Sequence, residues 1–151
     1  MAEITEQGRI IQPGMLLARG VCRALAQHGW AVLTEVTLAN GRRADVLALE
    51  PGGDLSIVEI KSSIEDFRAD HKWGEYRDFC DALYFAVPDG FPTELIPVDC
   101  GLIAADAFAA EFLRPAPVIR LAPARRKAMT LRFAQLAAQR LHRLLDPALG
   151  L

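Results

Sequence analysis

Cysteine is scarce in this chain of 151 residues: Cys22, Cys80 and Cys100 are odd in number and far apart. With no close pair among them, neither a zinc-like site nor a disulfide framework is expected, and they read as buried thiols in a reducing compartment. His28, His71 and His142 are scattered without metal-ligand spacing and read as surface or packing residues. No apolar run approaches the roughly 18 residues of a membrane span, and the opening MAEITEQGR lacks the basic-then-apolar pattern of a secretory signal. A cytoplasmic protein with no membrane partner is the expectation. There is no glycine-rich nucleotide loop, since Gly52-Gly53 belongs to a turn, and Ser62-Ser63 has no histidine nearby in sequence to make it a nucleophile. A strong charge of either sign is also missing: the formal net charge is -2. That argues only weakly against nucleic acid, because a local basic face can bind while a hydrolytic site carries acids of its own.

What is present describes a compact domain. Hydrophobic residues make up 52% and charged residues 24% of the chain, which at this length predicts one folded domain over residues 1–151. Leu17, Val21, Leu25 and His28 recur at helical spacing after Pro13-Gly14, predicting a helix that ends near Gly29. Trp30 to Leu38, Arg42 to Leu49 and Leu55 to Lys61 read as three strands, joined by turns at Asn40-Gly41 and at Pro51-Gly52-Gly53-Asp54. Three strands joined so closely make a meander. Ser63 and Asp66 fit a capping box at the start of a second helical region, through Phe67, Tyr76, Phe79 and Cys80. Gly74 interrupts it, leaving one long helix or two short ones. Strands follow at Ala82 to Val87 and Cys100 to Ala105, with Phe108 to Leu113 continuing as a hairpin. Pro123 to Leu145 is a terminal helix whose apolar arc is Met129, Phe133, Ala137, Leu141 and Leu144, with Arg125, Arg132 and Arg143 along its margin.

The chemistry is concentrated in Asp45 and Glu59-Ile60-Lys61. Two carboxylates and a lysine on neighbouring predicted strands are the minimum set for a metal-dependent cut in a phosphodiester. Acids inside apolar strands lose several kcal/mol of hydration, roughly, unless a cation, a donor or water attends them. Asp45 and Glu59 would hold the metal, with the Ile60 carbonyl as a third oxygen. An all-oxygen shell favours Mg²⁺, and Mn²⁺ fits the same ligands. Lys61, two residues from Glu59 on the same strand face, would orient or deprotonate water or neutralise the transferring phosphoryl group. The competing readings are a salt bridge from Asp45 to Arg42 or Arg43, and a Lys61 that only pairs with Glu59 and Asp45 in a site that never cuts.

Asp45 followed by Glu59-x-Lys61 resembles the signature of the PD-(D/E)XK nuclease superfamily. Several longer segments are similar to the bacterial MmcB-like DNA repair proteins: Arg43-Ala44-Asp45-Val46, Val58-Glu59-Ile60-Lys61-Ser62-Ser63, Asp66-Phe67-x-x-Asp70-x-Lys72-Trp73-x-x-Tyr76, Cys80-Asp81, Phe85-Ala86-Val87-Pro88, Gly101-Leu102-Ile103 and Arg125-Arg126-Lys127. The likeness runs from about Pro13 to Leu141, and the block from Ile57 to Pro88 carries most of its specificity. Ala44 stands where the superfamily usually has a proline, which is not a ligand. The resemblance implies an α/β fold, a restriction-endonuclease-like core with a central mixed β-sheet flanked by helices. It also implies DNA repair linked to damage-induced mutagenesis, with metal-dependent DNA hydrolysis leaving a 5′-phosphate. Glu35, on the first strand, occupies a place where some members carry a further acid.

DNA that is damaged, single-stranded or branched is the expected partner, alongside protein partners in mutagenic repair. An acidic centre repels a polyanion unless cations line its approach. The candidates are Arg42, Arg43 and Lys72, with Tyr76 as a hydrogen-bonding neighbour, and the Arg125-Arg126-Lys127 cluster, which marks either a DNA track or a protein surface. Trp73 reads as core rather than as a stacking platform. The alternative to a nuclease is a DNA-binding or partner-binding module that does not cleave. RNA is a third possible substrate, since the motif polarises phosphate without sensing a 2′-hydroxyl.

Overall fold

The computed structural model describes residues 3–4 and 10–149; the remainder of the expected 1–151 domain lies outside the described residues. A two-stranded ribbon, β1 (Glu3–Ile4) with β2 (Ile10–Ile11), precedes α1 (Pro13–Gln27). The sequence pattern assigns no element to that ribbon. Then come β3 (Ala31–Thr37), β4 (Arg43–Leu49), β5 (Leu55–Ile60), α2 (Ile64–Ala69), a 3-10 segment (Trp73–Phe79), β6 (Ala82–Val87), β7 (Gly101–Ala105), β8 (Ala110–Arg114) and α3 (Pro123–Leu145).

β3 to β8 form one six-stranded sheet in chain order: β3, β4 and β5 are antiparallel, β5-β6-β7 are parallel, and β8 returns antiparallel to β7. The meander is as expected, and its tight turns rest on Gly41 (φ 84) and Gly53 (φ 97), where other residues would be strained. β5 and β6 are buried at every position. That is the pattern of parallel strands covered on both faces, and it explains their near-continuous apolar sequence.

Two apolar layers clothe the sheet. Leu17, Val21 and Leu25 of α1 pack on Val46, Val58, Tyr84 and Ile103. On the opposite face Met129, Phe133 and Leu136 of α3, with Tyr76 and Phe79, pack on Leu47, Ile57, Leu83 and Phe85. The predicted α3 arc is correct at Met129 and Phe133 but fails towards its end, for Leu141 and Leu144 are exposed. A helix of 23 residues is about 34 Å long. It crosses the strands from Arg126, beside the start of β5, to Arg140, on carbonyls of the edge strand β3, so its last turns have no further strand beneath them.

The second helical region resolves into two short pieces. Ser63 Oγ accepts from Asp66 N–H at 3.1 Å, while the Asp66 carboxylate accepts from Ser62 N–H rather than Ser63. Trp73 packs edge-on against Phe85, as a core residue. His28 donates to the Ala24 carbonyl near the end of α1 and meets the Phe112 ring edge-to-face, a packing role as expected. Cys80 and Cys100 are buried as free thiols, and burial pushes them up to about 12 and about 11; Cys22 is only half-buried. No helix among the described residues is long and apolar enough to cross a membrane.

Candidate functional site

The sheet opens along one line that runs through Glu35, Asp45 and Glu59. Thr34 pairs with Val46 and Val36 with Ala44, but Glu35, opposite Asp45, drops out of the ladder. The β4–β5 ladder stops at Val46 and Val58, one step before Asp45 would face Glu59. The vacated backbone groups are taken by the two acids. Asp45 N–H donates to Glu59 Oε1 at 3.2 Å, and Ile60 N–H donates to Asp45 Oδ2 at 2.8 Å.

Both neighbouring strands change face at this line. Leu33 and Val36 lie against the α3-side core, as do Ala44 and Leu47. Residues three apart in a regular strand point to opposite faces. The switch in β3 is made by Glu35, whose φ of 51 is costly for a residue with a side chain. Arg140 of α3 holds that kink, donating to the carbonyls of Thr34 at 2.6 Å and Glu35 at 3.0 Å.

Asp45 and Glu59 form no ion pair among the described residues. Burial first, and then the neighbouring Asp45 carboxylate, push Glu59 up to about 9; burial also raises Asp45, against the Ile60 N–H that lowers it. The expected alternatives for these charges are corrected. Arg42 pairs with Glu75 at 2.6 Å and Arg43 reaches Glu35 at 3.8 Å, so neither bridges Asp45. Lys61 turns to Asp70, Nζ to Oδ2 at 2.7 Å, rather than pairing with Glu59 and Asp45. The other Asp70 oxygen accepts from Lys72 N–H, tying Lys61 to the loop after α2. Burial favours a protonated Asp70, but the Lys61 ammonium and backbone donors outweigh it and lower its proton affinity.

These groups border an open cavity of about 860 Å³. Asp45, Glu59, Ile60 and Lys61 line it, together with Glu35, Arg42, Arg43, Lys72 and Tyr76. Met15, Ala18, Arg19 and Cys22 of α1 line it as well. Tyr76 is buried and donates its hydroxyl to the Arg43 carbonyl at 3.0 Å. Burial, then the charges of Glu59 and Asp45, hold its phenol well above the ordinary range, so it braces β4 as a hydrogen-bond donor. Arg125, Arg126 and Lys127 are not brought to this cavity. Arg126 binds Asp81 and the Gly53 carbonyl beside the first residue of β5, whereas Glu59 lies near the last; Arg125 sits over the Phe79 ring.

Sequence reasoning missed Asp70, the partner of Lys61, although it lies within the Asp66-to-Tyr76 block. It also missed the α1 wall, because apolar helix residues carry no chemical signature, and Arg140, whose role depends on a strained backbone 105 positions away.

Sheet and site together define an α/β protein with a six-stranded mixed sheet flanked by helices, consistent with a restriction-endonuclease-like core, and a pair of carboxylates where the β3–β4–β5 ladders open. The model of the family described as "DNA repair protein MmcB-like" matches residues 2–148, and the chain belongs to that family. A solved structure, "SPO1766 protein of unknown function from Silicibacter pomeroyi", is 49% identical over 91% of this chain and 94% of that one, with a TM-score of 0.88. No curated protein matches the chain.

Proposed function

We propose that the cavity is a metal-dependent phosphodiesterase centre of the PD-(D/E)XK type that hydrolyses DNA in repair. One observation carries this reading: two recessed carboxylates brace each other through backbone N–H groups, and no cationic side chain among the described residues pairs with either. No group of three or more His, Cys, Asp or Glu side chains gathers there among the described residues. A hard cation held by one or two carboxylates, with waters and a substrate phosphate completing its shell, does not need such a group. Asp45, Glu59 and the Ile60 carbonyl would hold Mg²⁺, or Mn²⁺. When bound, the ion polarises the phosphoryl oxygen and lowers the proton affinity of attacking water.

The chain's own residues supply the remainder. The Ile60 N–H fixes one Asp45 oxygen, and the Asp45 N–H fixes one Glu59 oxygen, so both carboxylates are oriented before anything binds. Lys61, held by Asp70, places a positive charge beside the acids to orient water or stabilise the transferring phosphoryl group. Arg43 and Lys72 at the rim receive the flanking phosphates. Departure of the 3′-oxygen leaves a 5′-phosphate.

The test is incubation of pure protein with single-stranded, nicked, flapped and lesion-bearing DNA and Mg²⁺ or Mn²⁺. Turnover lost in Asp45→Ala and Glu59→Ala is the expected result; cutting that survives both would falsify the assignment. The Lys61–Asp70 pair favours a second reading, a DNA-binding or partner-binding module that does not cleave, since it already occupies the ammonium. That reading requires binding without hydrolysis of any DNA tested, and turnover abolished by the two substitutions removes it.

A further inference from the structure

The cavity is unlike a surface built only to receive the outside of a duplex. Glu59 and Lys61 are 3% and 6% exposed, so they are recessed below the rim, while Asp45 beside them is half-buried. The cavity volume of about 860 Å³ lies in the roughly 300–1,000 Å³ range of sites that enclose a small organic ligand. A continuous duplex, whose major groove alone is about 12 Å wide, is too large to enter such a space. A strand that enters alone brings its phosphate closer to the buried Glu59 than a duplex held at the rim can.

The walls differ in chemistry. Arg42, Arg43 and Lys72 lie on the side of β4 and the loop after α2, where a backbone of phosphates would run. On the α1 side, Met15, Ala18 and Cys22 line it with Arg19 among them, and Met15 is largely exposed with no core position to fill. An apolar strip on the α1 wall, facing a polar, cation-rimmed one, suits the two sides of a nucleotide: a flat, sequence-tolerant base and a charged phosphate.

We propose that the cavity receives an unpaired nucleotide, its base against Met15 and Ala18 and its phosphate towards the acids, so that the substrate is a single strand or a locally unpaired site. This rests on the reading of the acidic centre as the phosphate end. A base held this way is read by contact with its face, so the preference is for an unpaired strand rather than for a sequence.

The experiment compares binding of the full chain, by fluorescence anisotropy, to a single-stranded oligonucleotide, the same strand carrying abasic sites throughout, and a matched duplex. Ca²⁺ is present in one series and absent in another, and cutting with Mg²⁺ is measured separately. The normal strand is expected to bind about tenfold more tightly than its phosphate-matched abasic counterpart. Met15→Ser should reduce that ratio several-fold and Ala18→Trp should abolish it by filling the space beside the wall, with thermal midpoints and circular dichroism checking the fold. Equal binding of normal and abasic strands, preference for the duplex, or no binding of any strand overturns the proposal. Because binding is read without turnover, absence of cutting alone counts against the phosphodiesterase reading and not against the base wall.

Discussion

Arg126 of α3 grips both oxygens of the Asp81 carboxylate, one guanidinium nitrogen on each, while Asp81 also accepts from the N–H groups of Leu55 and Leu121. Asp81 is buried, so its charge would be expensive without those four donors. The pair locks α3 and the start of β5 to the strand that follows, at the end of the sheet away from the acids. The basic triplet opening α3 thus holds a structural member at its centre.

Replacing Arg126 by alanine leaves Asp81 buried with only its backbone donors, which is expected to cost about 2–4 kcal/mol. For a domain of this size that lowers the thermal midpoint by roughly 5–15 °C. The same pair sets an acid limit. Burial alone would raise the Asp81 pKa, but Arg126 and the two backbone donors more than reverse this, leaving it below its ordinary value of 3.8. The folded state therefore binds the proton less tightly than the unfolded chain. Stability from this group is present above about pH 4 and is lost as pH falls through the lower, folded value. Acid unfolding followed by circular dichroism should be shallower below pH 4 in Arg126→Ala than in the wild type; identical slopes would mean that Asp81 does not set the acid limit.

The kink at Glu35 is held from outside its own strand. Arg140→Ala should release the Thr34 and Glu35 carbonyls to water and destabilise the protein by about 1–2 kcal/mol. Glu35→Gly removes the strain of a positive φ and should be neutral or stabilise by up to about 1 kcal/mol. Chemical denaturation of both variants checks the pair of signs. A strongly destabilised Glu35→Gly would mean that the side chain, not the backbone, is what this position needs.

The elements were largely legible because the sequence is locally consistent: turn glycines, Pro88 after β6, and alternation or continuous apolarity in the strands all agree with the fold. Asp45 and Glu59 were legible as polar residues inside apolar strands, and Lys61 as one directly after β5, where only a site or a paired charge explains them. The partner of Lys61 was not, because Asp70 is one of several acids in a short irregular stretch and only the chain path selects it. Arg126 was misleading for the opposite reason. As a member of a basic triplet it looks like a surface cation, and nothing local reveals that Asp81, 45 positions earlier, lies beneath it. Leu141 and Leu144 followed helical periodicity correctly but had no sheet left to cover.

DNA approach is expected to depend on Arg43 and Lys72. Arg43 is mostly exposed and only loosely attached to Glu35, and Lys72 is exposed beside the loop that carries Asp70. Each phosphate no longer neutralised should flatten the logarithmic salt dependence by about 0.7 for a single strand or 0.9 for a duplex. The Arg43→Glu/Lys72→Glu double variant should therefore bind several different sequences about equally more weakly, with a slope reduced by roughly 1.5. A folded double variant with unchanged affinity and slope in an anisotropy titration would leave these residues off the DNA path.

The acid pair predicts a dependence of stability on pH that a bound cation reverses. In the folded chain Glu59 is raised from 4.5 to about 9, by burial first and then by Asp45. Between those values the unfolded chain has released the proton that the folded chain still holds, so stability falls as pH rises through this window. Glu59→Gln retains an oxygen to accept from Asp45 N–H and has nothing to titrate. It should match the wild type near pH 4.5 and exceed it at pH 8 by about 1–3 kcal/mol. Mg²⁺ or Mn²⁺ at a hundred times its dissociation constant should restore about 2.7 kcal/mol to the wild type at pH 8, and much less to Glu59→Gln, whose amide lacks the charge that attracts the ion. Thermal unfolding at pH 5 and pH 8, with and without the metal, reads all four conditions. If the wild type keeps the same stability at both pH values and gains nothing from either ion, Asp45 and Glu59 are not a cation site, and their mutual backbone bracing serves only the fold.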